Sequence, residues 1–411
     1  MTRAIGASGD QGRLHGLDAV RGYALLLGIV FHATMSFIPG PQIWVVEDTH
    51  RSLFLSGVFF VSHIFRMATF FLIAGFFAHM VVGKRGVKAF VKDRAKRILV
   101  PLVVGWPILI VAIIAASAYG GYVMTGHIPK PPPPAAHAPP LAFPLTHLWF
   151  LYLLLWLYAA TLALRAGVAR LDPAGRLATA ADRLVKGVVE NRAGVLVLAL
   201  PTALALNSFA PWALWGGVPA PDSSLIPNPP AVVAFFSAFG FGWLLHRQPG
   251  LLQTWTRRWV FNLTASVVLT AVLIAWIGLT PNAGPHTPGP ERLGYAMTYA
   301  LAIWTWTFAV IGLALRFLSK ESPARRYIAD SSYWLYLIHL PIVMVLQALV
   351  VKLDWPAEVK ILVVLGAAFP LMFASYQLLV RHSFIGAILN GRRAPKPARA
   401  APAALRLEPA E

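Results

Sequence analysis

The sequence predicts an all-α, polytopic membrane protein with about ten transmembrane helices, and three observations lead there. Of its 411 residues, 57% are hydrophobic and 12% charged, whereas soluble domains carry roughly a quarter charged residues. Apolar runs of about 17 to 25 residues, long enough to cross the hydrocarbon layer, recur along almost the whole chain. The Lys and Arg residues gather on alternate connections between those runs, as they do in loops that face the cytoplasm.

In order, the spans read as Leu17–Ile38, Leu53–Val82, Ile98–Tyr119, Leu148–Leu164, Ala193–Phe209, Ala231–Leu245, Val260–Leu279, Leu293–Phe317, Tyr333–Val351 and Val359–Val380. The first is full span length and lacks an Ala-x-Ala-like cleavage site, so it is expected to stay as a helix and not to be removed as a signal peptide. The second exceeds a straight crossing and holds His63 and Arg66, which predicts a kink, a steep tilt or an interfacial first half. The spans divide the chain into an N-terminal tail (1–16), one transmembrane domain (17–381) and a basic, Pro/Ala-rich tail (382–411) expected to be disordered. A second low-complexity stretch, Pro129–Pro140, falls in an outside loop. No internal repeat of solenoid type is visible.

A net charge of +19 raises the question of nucleic acid. With the N-terminus inside, 28 of the 35 Lys and Arg lie on inside tails and loops, and only Arg51, Lys130, Arg292, Lys352 and Lys360 lie outside. That asymmetry predicts that both termini are cytoplasmic, and it explains the basicity with no nucleic-acid partner. Arg392, Arg393, Lys396 and Arg399 of the tail would face anionic membrane lipid. Zero cysteines exclude disulfides, thiolate metal sites and a cysteine nucleophile. No Gly-x-Ser-x-Gly elbow, His-Glu-x-x-His pair, Walker loop or Asp-rich metal signature occurs, which argues against a hydrolase, a zinc protease and an ATP-driven pump. Nothing in the sequence speaks to oligomeric state.

In so apolar a chain the informative residues are those that lipid rejects, since an Arg or Asp at mid-bilayer costs about 2.5 to 3.5 kcal/mol or more. They are Asp18, Arg21, His32, His63, Arg66, His79, His147 and His339. Arg21 and His32 share one helix, and eleven steps of about 100° return them to nearly the same face, about 16 Å apart along the axis. Arg21 would sit at the cytoplasmic mouth, where it can grip an anion, and His32 deeper, where it can act as a base. Asp18, three residues before Arg21, can hold the guanidinium by a local ion pair. Taken singly, Arg21 equally fits an orientation anchor and His32 a hydrogen-bonded interior histidine.

The next loop is strongly basic, running from Lys84 to Arg97. Arg94 and Arg97 share one helical face, and with Lys96 they would suit the phosphates of a nucleotide-like ligand, which Arg grips bidentately; any cytoplasmic loop beside a span can also be this basic. His147, Trp149 and Tyr152 cluster at the outer end of the fourth span, where an aromatic belt also explains the rings. Ser332-Tyr333-Trp334-Leu335-Tyr336-Leu337-Ile338-His339-Leu340-Pro341 puts a histidine just before a proline able to free a backbone carbonyl. His339 can face the same cavity as His32 or be a packing histidine.

Together these motifs resemble the acyltransferase-3 family. Leu17-Asp18-Ala19-Val20-Arg21-Gly22 followed by His32 is similar to its first helix, with an Arg, ten residues, then a His. Phe70-Phe71-Leu72-Ile73-Ala74-Gly75-Phe76-Phe77 resembles its second-helix motif, Arg94 and Arg97 its cytoplasmic Arg-x-x-Arg, and Ser332 to Pro341 its late Tyr-Leu-x-His-x-Pro segment. Ser62 to Met67 and His147 to Tyr152 look like the branch that succinylates osmoregulated periplasmic glucans. The resemblance implies a multi-pass protein of the bacterial inner membrane. Its donor would be cytoplasmic acyl-CoA, with no permanently bound cofactor, and its acceptor a hydroxyl of a periplasmic or lipid-linked glycan. The chain stops soon after its tenth span, so the membrane domain is expected to complete the transfer alone. Attack on a thioester needs a base on the acceptor hydroxyl, and neutral His suits that near pH 7. His32 is the expected base and Arg21 the donor grip, helped by Arg94, Arg97 and Lys96. Asp18, His63, Arg66, His147, Trp149, Ser332, Tyr336 and His339 are candidates for lining or orienting. The partner that orients His32 has no carboxylate candidate at its depth. A glycan or lipid exporter without covalent chemistry is the alternative, although no paired, broken helices support it; a sensory or scaffold membrane protein is a third reading.

Overall fold

The structure is a computed structural model that describes residues 5–41, 43–128, 139–282 and 289–391, with side chains from His15 onward in the first helix. The expected segment Pro129–Pro140 lies mostly outside these residues, and so does the tail from Arg392. Among the described residues the chain is helical, apart from one isolated bridge between Ala142 and Ser224. In chain order the helices are α1 (Ile5–Thr34), α2 (Leu53–Arg94), α3 (Val100–Thr125), α4 (Trp149–Leu171), α5 (Arg176–Glu190), α6 (Gly194–Ser208) and α7 (Pro229–Leu245). They continue with α8 (Leu252–Arg257), α9 (Trp259–Ile277), α10 (Pro290–Phe317), α11 (Pro323–Val350), α12 (Ala357–Ser375) and α13 (Phe384–Leu389).

Seven helical stretches are long and apolar enough to cross a membrane, or up to nine if two sharply bent pairs each count as one span. So many helices of that length and apolarity are what a multi-pass membrane protein requires. The bent pairs are α5 with α6, at 104°, and α7 with the Pro249–Arg257 segment, at 109°. All ten apolar runs read from the sequence fall on helices, but the second and third lie within one stretch, Leu53–Thr125. No break falls within Leu53–Val82. The helix deviates at Gly86 (φ 77°), a left-handed conformation that glycine adopts without a Cβ clash, and Ala95–Leu99 forms a π-helical turn leading into α3. His63 and Arg66 are accommodated by facing a cavity, without bending the helix.

Helix continues beyond the outermost apolar stretches, His15–Phe37 and Ala357–Val380. The first helix begins at Ile5, inside the stretch read as a tail, and α13 forms within 382–411. There Arg97 Nε donates to the Leu389 carbonyl at 3.1 Å, which ties α13 to the π-helical turn.

Packing follows from small residues where helices meet. A Cβ at Gly75 of α2 would stand 2.0 Å from the Phe239 carbonyl oxygen, and one at Gly242 of α7 would stand 1.9 Å from that of Leu72. The two backbones approach reciprocally, as small residues permit in membrane bundles. Charged α5 buries Val185, Val188 and Val189, and Asp182 on it accepts from Arg247 at 2.7 and 2.9 Å. Away from this elbow, Lys360 of α12 reaches Asp48 in the loop between α1 and α2 at 2.8 and 2.7 Å, with side chains 0% and 1% exposed. The same loop is tied at Ser52, whose hydroxyl donates to Glu358.

Candidate functional site

The first helix packs against α2, α10 and α11, and one of its faces runs past two cavities. Arg21 lies at the first, a space of about 140 Å³ that Arg94, Arg97, Tyr158, Ser332 and Tyr333 also line. Asp18 holds Arg21 at 3.2 Å. Asp93 lies 3.1 Å from Arg94 and 3.8 Å from Arg97, and the Arg94 guanidinium stands over the Phe90 and Tyr158 rings. Three arginines thus converge there, with Asp18 and Asp93 beside them and Asp330 on the same lining. Lys96 is exposed and lines neither cavity.

His32 lines the second cavity, a largely apolar space of about 340 Å³. His63, Arg66, His147, Trp149, Tyr336 and His339 line it too. The two cavities share Leu25, Phe70 and Phe150 as a collar. A path from the arginines to His32 therefore runs along α1 and passes one apolar constriction.

The hydrogen bonds of the two central histidines assign their protons. His339 Nδ1 lies 2.6 Å from the Tyr336 carbonyl, which can only accept, so Nδ1 carries hydrogen and the Nε2 of a neutral ring accepts. His32 Nδ1 lies 2.8 Å from the Gly28 carbonyl and 3.1 Å from that His339 Nε2, so it too carries hydrogen. The lone pair of neutral His32 is left on Nε2, and the half-buried ring lines the cavity. The orienting partners are thus a carbonyl one turn earlier, which the sequence reading did not name, and His339 on α11, which it held as a lining or orienting candidate.

His147 is committed differently. Pro341 has no N–H for the carbonyl four residues earlier, and His147 Nε2 donates to that carbonyl, Leu337, at 3.0 Å. In return, the Tyr336 hydroxyl donates to the His147 carbonyl at 2.7 Å. Pro341 leaves α11 unbroken. His63 stacks on Phe31 and Phe59 and has an unpartnered Nδ1. His79 is remote from the cavity, 2.8 Å from His246 Nδ1. Ser332 caps back on the Ala329 carbonyl.

Three residues that no sequence motif singled out complete the surroundings. Gln347, 1% exposed, donates to the carbonyls of His32 and Ala33 at 3.1 and 3.0 Å and accepts from Trp44 at 2.9 Å. Trp44 thereby lies 6.0 Å from the His32 ring. Asp222 lines the same cavity from the loop before α7, and burial raises its carboxyl pKa above the ordinary range. Its only sequence signal was a lone carboxylate in a Pro/Gly-rich connection.

A family model described as an acyltransferase domain matches residues 14–379. Glucans biosynthesis protein C of Shigella dysenteriae serotype 1 (strain Sd197) is 37% identical over 93 residues, 23% of this chain and 24% of that protein. The proteins of the same name from Escherichia coli strains SMS-3-5 / SECEC and K12 / DH10B are 37% and 36% identical over the same length. The matched region thus spans about a quarter of these curated relatives. No solved structure is similar.

Proposed function

Because the chain belongs to the acyltransferase-3 family, we propose that it is an inner-membrane O-acyltransferase that moves an acyl group from cytoplasmic acyl-CoA to a hydroxyl of a periplasmic or lipid-linked glycan. The enzyme class, a transferase of acyl groups, follows from the family. The glycan acceptor rests on the likeness to glucans biosynthesis protein C, and succinyl as the acyl group rests on the resemblance of Ser62 to Met67 and His147 to Tyr152 to the glucan-succinylating branch.

One observation carries the mechanism: the cationic cavity and the histidine cavity abut along a single helix. Arg21, Arg94 and Arg97 hold the phosphates of the donor. Extended pantetheine covers the roughly 16 Å between residues eleven apart on α1, so the thioester passes the Leu25–Phe70–Phe150 collar and meets His32. Nε2 of His32 takes the proton of the acceptor hydroxyl as its oxygen attacks the thioester carbonyl. Gly28 and His339 hold the ring in the required tautomer and accept from Nδ1–H as charge develops on the ring. Collapse of the intermediate breaks the C–S bond, and the leaving thiolate takes the proton from His32. Counting Leu53–Thr125 as two crossings, since 73 residues exceed any single one, and each bent pair as one gives ten spans, which puts both termini on one side. The bias of Lys and Arg toward the N-terminal side makes that side the cytoplasm in this reading. Arg21 then lies on the cytoplasmic side.

The test is purified protein with acyl-CoA and glucan acceptor, followed by free thiol. His32→Ala is expected to abolish thiol release and retain acyl-CoA binding, because a general base acts in the transition state. Near-normal turnover by this variant would remove His32 as the base. An exporter would release no thiol even as wild type.

A further inference from the structure

Arg66 is the one arginine of the His32 cavity and is 8% exposed. Among the described residues it forms no ion pair and no hydrogen bond, and its Nη1 is buried without an acceptor. What it touches is the Phe31 ring, 4.2 Å below the guanidinium carbon. A cation–π contact offsets only part of what burying an unpaired ion costs. Such a group is short of a negative charge.

Its position says which one. A Cβ on Gly28 would stand 3.5 Å from Arg66 Nη1, and the Gly28 carbonyl is the one that orients His32, at 2.8 Å. Phe31, under the guanidinium, is also edge-on to the His32 ring at 5.1 Å. The guanidinium therefore packs at ordinary contact distance against the turn of α1 that sets the base. Base and cation thus share one wall of one cavity.

We propose that Arg66 is a catalytic residue that stabilises the oxyanion formed when the acceptor attacks the thioester. The proposal rests on the acyl-transfer reading above. As the new C–O bond forms, the carbonyl π electrons move onto oxygen and the acceptor proton moves to His32. Arg66 therefore meets a negative charge in the step in which the imidazole gains a positive one. When the oxyanion collapses and the C–S bond breaks, the proton leaves with the thiolate and the guanidinium is again unpaired. A donor of this kind, preorganised in an apolar site, acts on the transition state and leaves ground-state binding almost unchanged.

The test measures thiol release and donor Kd for wild type, Arg66→Gln and Arg66→Lys, with acetyl-CoA and succinyl-CoA as probes. Arg66→Gln is expected to lower kcat by about 10²-fold or more with either donor, the usual cost of one oxyanion donor, while Kd changes less than about threefold. Arg66→Lys should recover part of kcat, since it keeps the charge without the planar fork. If Arg66→Gln does not fold, Arg66→Lys decides alone: a loss of about tenfold in kcat at constant Kd supports the proposal, and wild-type kcat overturns it. Loss confined to succinyl-CoA and visible in Kd would also overturn it, making Arg66 a reader of the acyl carboxylate. Absence of thiol release by wild type with either donor would overturn the acyl-transfer reading itself, whereas wild-type release with an indifferent Arg66 would overturn only this assignment.

Discussion

Replacing Lys360 by Met should release the loop that carries Trp44 over His32. The Lys360 ammonium is fully buried and meets both Asp48 oxygens, at 2.8 and 2.7 Å, and the Val351 carbonyl, at 3.2 Å. With Lys360 gone, Asp48 remains 1% exposed, with the His50 backbone N–H at 2.8 Å and the His50 ring at 3.5 Å as remaining neighbours. Removing one partner of a buried pair costs about 3 to 5 kcal/mol. At about 1.4 kcal/mol per factor of ten, opening of the loop becomes roughly 10²-fold to several thousandfold more frequent. Amide exchange over residues 43–52 in the detergent-solubilised protein reads that number, because local opening exposes those amides. Turnover should fall in parallel while donor Kd holds, since Trp44 lines the His32 cavity and not the arginine cavity. The double variant Asp48→Asn with Lys360→Met should recover most of the protection, because both buried charges are gone. Exchange within threefold of wild type in Lys360→Met, or a double variant as labile as the single one, would refute the latch.

Changing Arg94 and Arg97 together to Ala should raise KM for acyl-CoA with a smaller effect on kcat, because contacts far from the reacting carbonyl bind ground and transition states alike; an unchanged KM would remove them from the donor site. Leu25→Phe, which thickens the collar, should slow turnover with acyl-CoA and leave binding of free CoA unaltered, measured by calorimetry. Arg247 holds the Asp182 carboxyl below its ordinary pKa. The pair therefore stabilises the elbow above the unfolded carboxylate range, and that contribution disappears as pH falls through the folded value. Since both side chains are about a third exposed, Asp182→Asn should cost about 1 kcal/mol or less in thermal unfolding near pH 7, and the difference from wild type should shrink as the pH falls below the ordinary carboxylate range.

Much of the fold was legible because lipid imposes one rule on every span. The runs Leu17–Ile38 and Leu293–Phe317 had only to be apolar and long, and helices are the only way for such segments to satisfy their backbone in hydrocarbon. The breaks were less legible. Of the kink, steep tilt or interfacial first half expected for Leu53–Val82, the kink does not fall inside the run, and the helix deviates at Gly86, where the residue tolerates positive φ. The sharp elbows before α6 and after α7 are bridged by charged surface contacts such as Asp182 with Arg247, which hydropathy does not register.

The site divides along the same line, between what one helix encodes and what only packing decides. Arg21 and His32 could be placed on one face because eleven residues make nearly three turns. Pro341 could be read as freeing a carbonyl, but that His147 takes it depends on the register of α4 against α11. Arg66 shows the division most sharply. Its charge in an apolar run marked it as costly, yet the same cost would apply to an arginine bound to a carboxylate. What separates the two cases is the absence of any acceptor at Nη1 and the nearness of the Gly28 turn, and both are properties of two helices in contact. A buried cation that the fold leaves unpaired beside a histidine whose Nε2 keeps its lone pair matches a reaction in which both partner charges arise only in passing.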